Sequence, residues 1–582
     1  MTNDQMTKGA NAPQASSFGL RHSFGFRHSD FVIPASRRHR VFKRRNTETG
    51  SVLIIVMVIC LGLVSVALYF GHSSAMAYRA SSSDLAGRQA QRAIDGAAQY
   101  AEYLMLVSGS NITPSGGSSG SGATSSTSST TTNSGSYPPV YLLPQASTYQ
   151  AEAVPVEDAT FWFIGDPETT NSGSVGSAST GPSNSNVPVF GLVDEASKLN
   201  LNTASVQMLA GLPNMTPSLA QAIVAWRKTS TSGTSGSTSS SSSSSTSNGS
   251  STTISKGGPF ESIYELAQVA QADGDDPSIL YGNDTNLNHV MDGSESMSQG
   301  AAQFTPGIYN YVTVYSREPN IVPGTTQPRI SVTTGSSAVS SGSSSSSSTT
   351  STTSSGTSTP TTLNALLTQM LGQNRAQEIR SNVLTSLLQV AGLTGTAQGG
   401  GRGGGGGGGA VASSGTVNSV LEFYIRGKLT PAELDELTPY LTSGTSKGNY
   451  TKGLINVNTA SAEVLACVPG FTTSTAQQVV TTRQGQTTPY TNLAWIATIL
   501  GNTASYQAGP YLTTESFQVS ADVAAVGPGG LGYRRTQFVI DGSNGAPQIV
   551  YRHDMTPLGW ALGPQALQSL QSIGGKTKTT IP

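Results

Sequence analysis

From Val52 to Phe70 the chain reads VLIIVMVICLGLVSVALYF, and no charge appears between Ser51 and Tyr78. A run of this length and character matches the thickness of a bilayer's hydrocarbon core when wound as a helix. The residues before it are basic: Arg37, Arg38, Arg40, Lys43, Arg44 and Arg45 all precede the apolar run. Such a cluster resists translocation, so the expected topology is a single pass with the N-terminus in the cytoplasm and everything after Arg79 on the far side. A cleaved secretory signal is the rival reading, but its apolar core would be shorter and would end in a small-residue cleavage site. Here the helical pattern continues past the run. Leu85, Ala93, Ala97, Tyr100 and Leu104 recur at roughly helical spacing, which extends the expected helix to about residue 107.

Much of the remaining length cannot pack. Serine-, threonine- and glycine-rich tracts occupy 108–136, 171–186, 229–256, 334–360 and 394–415. They hold too few apolar side chains to offset chain entropy, and they interrupt patterned segments, so they read as flexible loop insertions in a compact body. Net charge is -1, which does not suggest a broad nucleic-acid surface. Cys60 and Cys467 are the two cysteines. One lies in the apolar run and the other in the distal body, so a disulfide framework is excluded. Cys467 sits among apolar neighbours in EVLACVPG and reads as a small core residue. The six histidines show no metal-ligand spacing.

An internal repeat carries the strongest signal. KLNLNTASVQMLAGLPNMTPSLAQAIVAWR (Lys198–Arg227) and LINVNTASAEVLACVPGFTTSTAQQVVTTR (Leu454–Arg483) align without a gap. Asn200, Asn202, Thr203 and Ala204 correspond to Asn456, Asn458, Thr459 and Ala460, and Arg227 corresponds to Arg483. Asn or Thr ahead of a helix-forming run is expected to cap it. Leu209 and Leu465 fall on a buried face, and Pro213 and Pro469 end a first short helix before a second begins. PRISVTT (Pro328–Thr334) and LNALLTQMLGQNRAQEIR, farther on, read as a third, eroded copy.

Helix–turn–helix pairs invite a nucleic-acid reading. DNA-binding helix-hairpin-helix modules present glycine amides to phosphates. Here the turns are Pro213-Asn214-Met215-Thr216 and Pro469-Gly470-Phe471-Thr472, each short of that glycine pair. No lysine or arginine cluster surrounds them; Trp226-Arg227-Lys228 is the only basic spot, so nucleic acid is not expected as a partner. Enzyme motifs are missing too. There is no Gly-x-Ser-x-Gly, no His-Glu-x-x-His and no P-loop, and the glycine run at 400–409 has no Lys-Ser or Lys-Thr behind it. His553 and Asp554 are neighbours on a strand-like segment and so should face opposite ways.

The junction Gly50/Ser51, a basic leader followed by an apolar helix, resembles the processing site of type IV pilins and pseudopilins. In that resemblance Gly50 is the cleavage glycine for prepilin peptidase and Ser51 the new first residue. The fifth mature position is Ile55 where most members carry glutamate, as in the K-type minor pseudopilins of type II secretion. The Asn-x-Asn-Thr-Ala motif, GGPFESIYELAQV (Gly257–Val269), YNYVTVYSREPN (Tyr309–Asn320) and LTPAELDELTPYLT (Leu429–Thr442) extend the likeness to that family. So do the strand-like segments ESFQVSADVAAV, RRTQFVID and PQIVYRHD near the end.

The fold this implies is α+β: an N-terminal transmembrane, pilin-like helix, a small antiparallel sheet, and inserted α-helical lobes with degenerate helix-hairpin-helix pairs. The expected layout is a cleaved leader (1–50), the helix (51–107) and first strands with insertions (108–190). A first helix-pair lobe (191–290), a strand segment (300–333), a linker (334–360), an eroded helix pair (361–393) and a second linker (394–415) follow. The chain closes with the second lobe (416–505), C-terminal strands (506–563) and a tail (564–582).

The resemblance implies a non-enzymatic subunit at the tip of the periplasmic pseudopilus, anchored in a bacterial inner membrane. Its implied partners are the I- and J-type minor pseudopilins, the major pseudopilin, the inner-membrane assembly platform and prepilin peptidase, with the secretin and secreted substrates beyond them. Calcium is an implied cofactor, for which Asp273, Asp275, Asp276 and Asp284 are the candidate ligands; their spacing is not that of an EF-hand. The alternative is a membrane-anchored helix-hairpin-helix receptor for DNA uptake.

Overall fold

The computed structural model describes residues 49–110, 146–167, 188–228, 255–291, 295, 304–323, 325–333, 360–390, 416–444, 448–486, 488–563 and 566. The basic leader, the tail after 566 and, apart from their edges, the five Ser/Thr/Gly tracts lie outside them. The chain divides into two units, Met1–Met76 and Ala77–Pro582.

In the first unit the described residues all belong to one helix, Thr49–Ser110, which runs on into the second unit. Its apolar side chains from Val52 to Phe70 are exposed. The segment is long and apolar enough to cross a membrane.

In the second unit the helix changes character. Ala86, Ala90, Ala93, Ile94, Ala97, Ala98, Ala101 and Met105 are buried along one face at i, i+3 and i+4 spacing. The expected stripe is therefore shifted: Ala93 and Ala97 lie in it, Tyr100 and Leu104 flank it, and Leu85 is exposed. The stripe is rich in alanine, so the helix axis can lie close to the sheet it covers. That sheet runs Val154–Val156, Ala159–Ile164, Gln518–Val526, Arg534–Asp541, Gln548–Asp554, antiparallel throughout, with Val193–Asp194 paired to the central strand. Val519, Ala521, Val523 and Ala525 alternate toward the helix together with Phe161, Phe163, Phe538 and Ile540. Ala524 and Val526 face the other way, against Trp162, Ile164, Ala561 and Leu562. The turn after the central strand meets the helix where no side chain fits. A Cβ on Gly527 would lie 2.4 Å from the Ala86 carbonyl oxygen.

Sheet neighbours Ala159–Ile164 and Gln518–Val526 are far apart in sequence, and three helical lobes occupy the chain between them. Each lobe opens on a two-residue strand and closes on another, paired parallel to it. Leu199–Asn200 pairs with Val312–Thr313, Ile330–Ser331 with Leu441–Thr442, and Ile455–Asn456 with Leu512–Thr513. The middle lobe holds helices Leu363–Leu371, Gln373–Val390, Val420–Gly427 and Pro431–Leu437 around one apolar cluster. The segment expected as the second lobe (416–505) thus spans the last helices of this lobe and the Asn-motif lobe that opens at Ile455, and Leu421 of helix Val420–Gly427 packs in the core of the latter. The two Asn-motif lobes share a single core: Met208, Leu209 and Leu212 of the first cluster with Val464, Leu465 and Val468 of the last.

Candidate functional site

The two copies of the Asn motif share a core set of hydrogen bonds. Asn200 Oδ1 accepts the Asn202 N–H at 2.9 Å, and Asn456 Oδ1 accepts the Asn458 N–H at 2.9 Å. The Asn200 amide donates to Ser316 Oγ at 3.0 Å, and the Asn456 amide to Ser516 Oγ at 2.7 Å. Asn202 clasps both backbone groups of Phe260, at 2.7 and 3.0 Å. Asn458 does the same to Tyr490, at 3.0 and 2.9 Å, and adds the Thr514 carbonyl at 3.2 Å. Arg227 donates to the Leu201 and Ala204 carbonyls, and Arg483 to those of Val457 and Ala460. Each arginine thus ties the end of the second helix to the loop before the first, and Ala204 and Ala460 are buried beneath it.

The expected capping role is corrected. Ser205 and Ser461 cap the first helices, accepting from Met208 N and Val464 N, while the asparagines staple the loop to distant backbone. Thr203 lies against its own loop, with Oγ1 directed at the Asn200 carbonyl. Thr459 donates to Asp194 at 2.6 Å. Asp194 is fully buried and also accepts from Asn456, Ser516 and the Ala196 N–H. Burial raises its pKa, and these donors oppose the rise. It locks the second Asn motif to the strand that precedes the first.

A further shared element was missed in the sequence. Tyr311-Val312-Thr313, Tyr440-Leu441-Thr442 and Tyr511-Leu512-Thr513 close the three lobes. In each, the threonine hydroxyl accepts the N–H two residues on, at 3.1, 3.1 and 3.2 Å. It donates in turn to Glu195, Asn320 and Glu318. The Tyr-(Val/Leu)-Thr repeat is the signal that would have found it. Glu318 also meets buried Arg329, which reaches Glu515 at 2.8 Å. This buried Glu–Arg–Glu group joins the three lobes where their strands converge.

Each hairpin turn carries one left-handed residue. Asn214 (φ 60°) and Gly470 (φ 92°) hold the left-handed position. A Cβ on Gly470 would sit 2.4 Å from the Ala504 carbonyl oxygen, so the turn backbone is already covered by the chain's own helix Asn502–Ala508. Asn214 donates to the Pro306 carbonyl at 3.1 Å. Cys467 is buried against Gly211, its equivalent in the other copy, and burial pushes its thiol up to about 12. His553 stacks on Tyr264 at 4.2 Å, while Asp554 accepts from the Thr556 N–H at 2.9 Å.

The four candidate aspartates are not one cluster. Asp273 accepts from Ser218 Oγ and Asp275 from Thr216 Oγ1, both at 3.0 Å, which fastens one helix end to the next. Asp276 caps the turn Pro277–Leu280. Asp284 is buried in a separate loop. Among the described residues no three of His, Cys, Asp and Glu gather as a metal-holding group. Gly50 and Ser51 lie within the first turns of the long helix.

Comparison with known proteins adds one family. A helix-hairpin-helix motif matches residues 194–232 and 451–506, which are the two Asn-motif copies. No curated protein matches the chain.

Proposed function

We propose that this protein is the K-type minor pseudopilin of a type II secretion system, a structural subunit at the pseudopilus tip that is anchored in the inner membrane. The observation that carries the proposal is the division of labour in the helix Thr49–Ser110. From Val52 to Phe70 its large apolar side chains all point outward. Its second half is an alanine stripe seated on an antiparallel sheet whose strands are parted by helical lobes. An exposed apolar helix of this kind serves as a membrane anchor and then as a packing surface for other subunits' helices. Ile55, in place of a glutamate, leaves no carboxylate to pair with a subunit above, which suits a terminal position. The body would face the periplasm, cap the filament with the I- and J-type subunits, and meet secretin or secreted substrates through its lobes. Affinity purification from solubilised membranes tests this. The I- and J-type subunits should co-purify with the full chain, and their absence from the eluate under conditions that recover the I–J pair would overturn it.

A second reading rests on the helix-hairpin-helix match: a membrane-tethered receptor for duplex DNA. The arginines that end each helix pair are spent on carbonyls, and the Gly470 turn is covered, which weighs against it. Duplex titrations at two salt concentrations separate the readings, because a DNA receptor binds with a steep salt dependence.

A further inference from the structure

We propose that the Glu318–Arg329–Glu515 group is a proton-operated latch between the three lobes, closed when one of its carboxylates carries a proton and loosened when both are charged. Glu318, Arg329 and Glu515 are 9%, 4% and 8% exposed. Arg329 gives one N–H group to Glu318 and another to Glu515, the latter at 2.8 Å, so its fork is split between two carboxylates rather than seated on one. Among the described residues its Nε is buried without a hydrogen-bond partner. Thr513, a neutral donor, meets the other oxygen of Glu318 at 2.8 Å. Among the described residues no second cation reaches either carboxylate. Two negative charges thus share one positive charge out of water, and the excess is costly unless a proton removes it.

The other ionisable groups on the elements that meet here have partners of their own. Arg317, beside Glu318 in the chain, pairs with Asp541 and lies over the Tyr450 ring. Lys452, opposite Arg317 across the strand pair, is exposed. Glu195 of the first lobe pairs with Lys198 at 3.9 Å, and Asp194 takes its donors from Thr459, Asn456, Ser516 and the Ala196 N–H. The excess charge therefore stays on the joint. Burial raises the Glu318 pKa, Arg329 opposes the rise and Glu515 adds to it. The same residues hold the lobes together. Glu318 lies between the first lobe and the middle one, Arg329 directly precedes the strand that opens the middle lobe, and Glu515 follows the strand that closes the third. Glu318 and Glu515 line a small cavity with Ala196, Leu454 and Gln518. A second charge on the joint draws water in at that cavity, where the lobes meet.

A carboxylate whose pKa is raised by folding stabilises fully below its unfolded value, and that contribution is lost as pH rises through the folded value. The window here opens at the ordinary 4.5. Glu318→Gln keeps the shape of the side chain and fixes its neutral state. Urea unfolding of the full-length protein in detergent should find this variant equal to the unaltered protein at pH 4.5 and more stable above it. The ratio of the two folding constants should widen by about tenfold per pH unit and then level off at the folded pKa. Hydrogen exchange, with the two proteins compared at each pH, should show equal rates at residues 318–320, 329–331 and 512–515 at pH 4.5 and slower rates in the variant near neutral pH. Glu515→Gln leaves the same neutral pair and covers the case in which the first variant does not fold. A stability gap that does not change with pH, a variant less stable at every pH, exchange that differs only in other segments, or failure of both variants to fold would overturn the proposal.

Discussion

Asn458 satisfies three backbone groups with one side chain, both those of Tyr490 and the Thr514 carbonyl, in a setting 5% exposed. Its counterpart Asn202 satisfies two and is half-buried. A buried backbone group left without a partner costs about 1–3 kcal/mol. Asn458→Ala should therefore destabilise by about 3 kcal/mol and Asn202→Ala by less, measured by urea unfolding. A second residue-scale prediction concerns pH. The Arg375 guanidinium, at 2.7 Å, holds Glu433 down to about 2 from its ordinary 4.5. A carboxylate depressed in the folded state stabilises above its unfolded pKa, and that contribution is lost as pH falls toward the folded value. Thermal unfolding of Glu433→Gln should thus lie below that of the unaltered protein near neutral pH, with the gap closing between pH 4.5 and about 2. A gap that does not change with pH would mean that the capping bond from Glu433 to the Thr430 N–H matters more than the charge.

At the scale of elements, the helix pairs and the sheet make opposite demands on size. The Gly470 turn admits no side chain, because its φ is 92° and the Ala504 carbonyl is in the way. Gly470→Ala should cost about 2 kcal/mol or more, whereas Asn214→Gly, at φ 60° in the other copy, should change stability by a few tenths of that in the same unfolding assay. Ile94 and Met105 are the large side chains in the alanine stripe, and Ile94→Ala should cost about 2–5 kcal/mol. Elements with a strong period were legible in the sequence. The closing strands, the two helix pairs and the long helix all follow their apolar spacing. The parallel pairings were not legible, because each strand is two residues long and its partner lies a whole lobe away. The Asn motif was visible as a repeat, but its role was misassigned: a side chain that reaches Phe260 or Tyr490 leaves no local pattern, while a cap does. Leu85 was misplaced because it points away from the sheet, although its neighbour Ala86 is buried.

For the whole molecule, three lobes with one plan are strung between adjacent strands of a sheet, and three of the five low-complexity tracts (229–256, 334–360 and 394–415) fall at connections inside the first two lobes. Buried ionic groups sit at the joints: Glu318–Arg329–Glu515 between lobes, and Arg535 with Asp522 on the sheet, reaching the first lobe's carbonyls. Removing one partner of such a group leaves a buried charge, at about 3–5 kcal/mol, so Arg329→Met should lower Tm more than any exposed substitution and loosen the lobes together. On the assembly reading the same body needs its leader (1–50) removed, with the anchor helix kept, before it can enter a filament. The direct test is the N-terminal sequence of the protein taken from membranes of cells with and without prepilin peptidase. A mature chain that begins at Ser51 only where the peptidase is present is the predicted result. A chain left intact in both, or cut beyond Phe70, would contradict it.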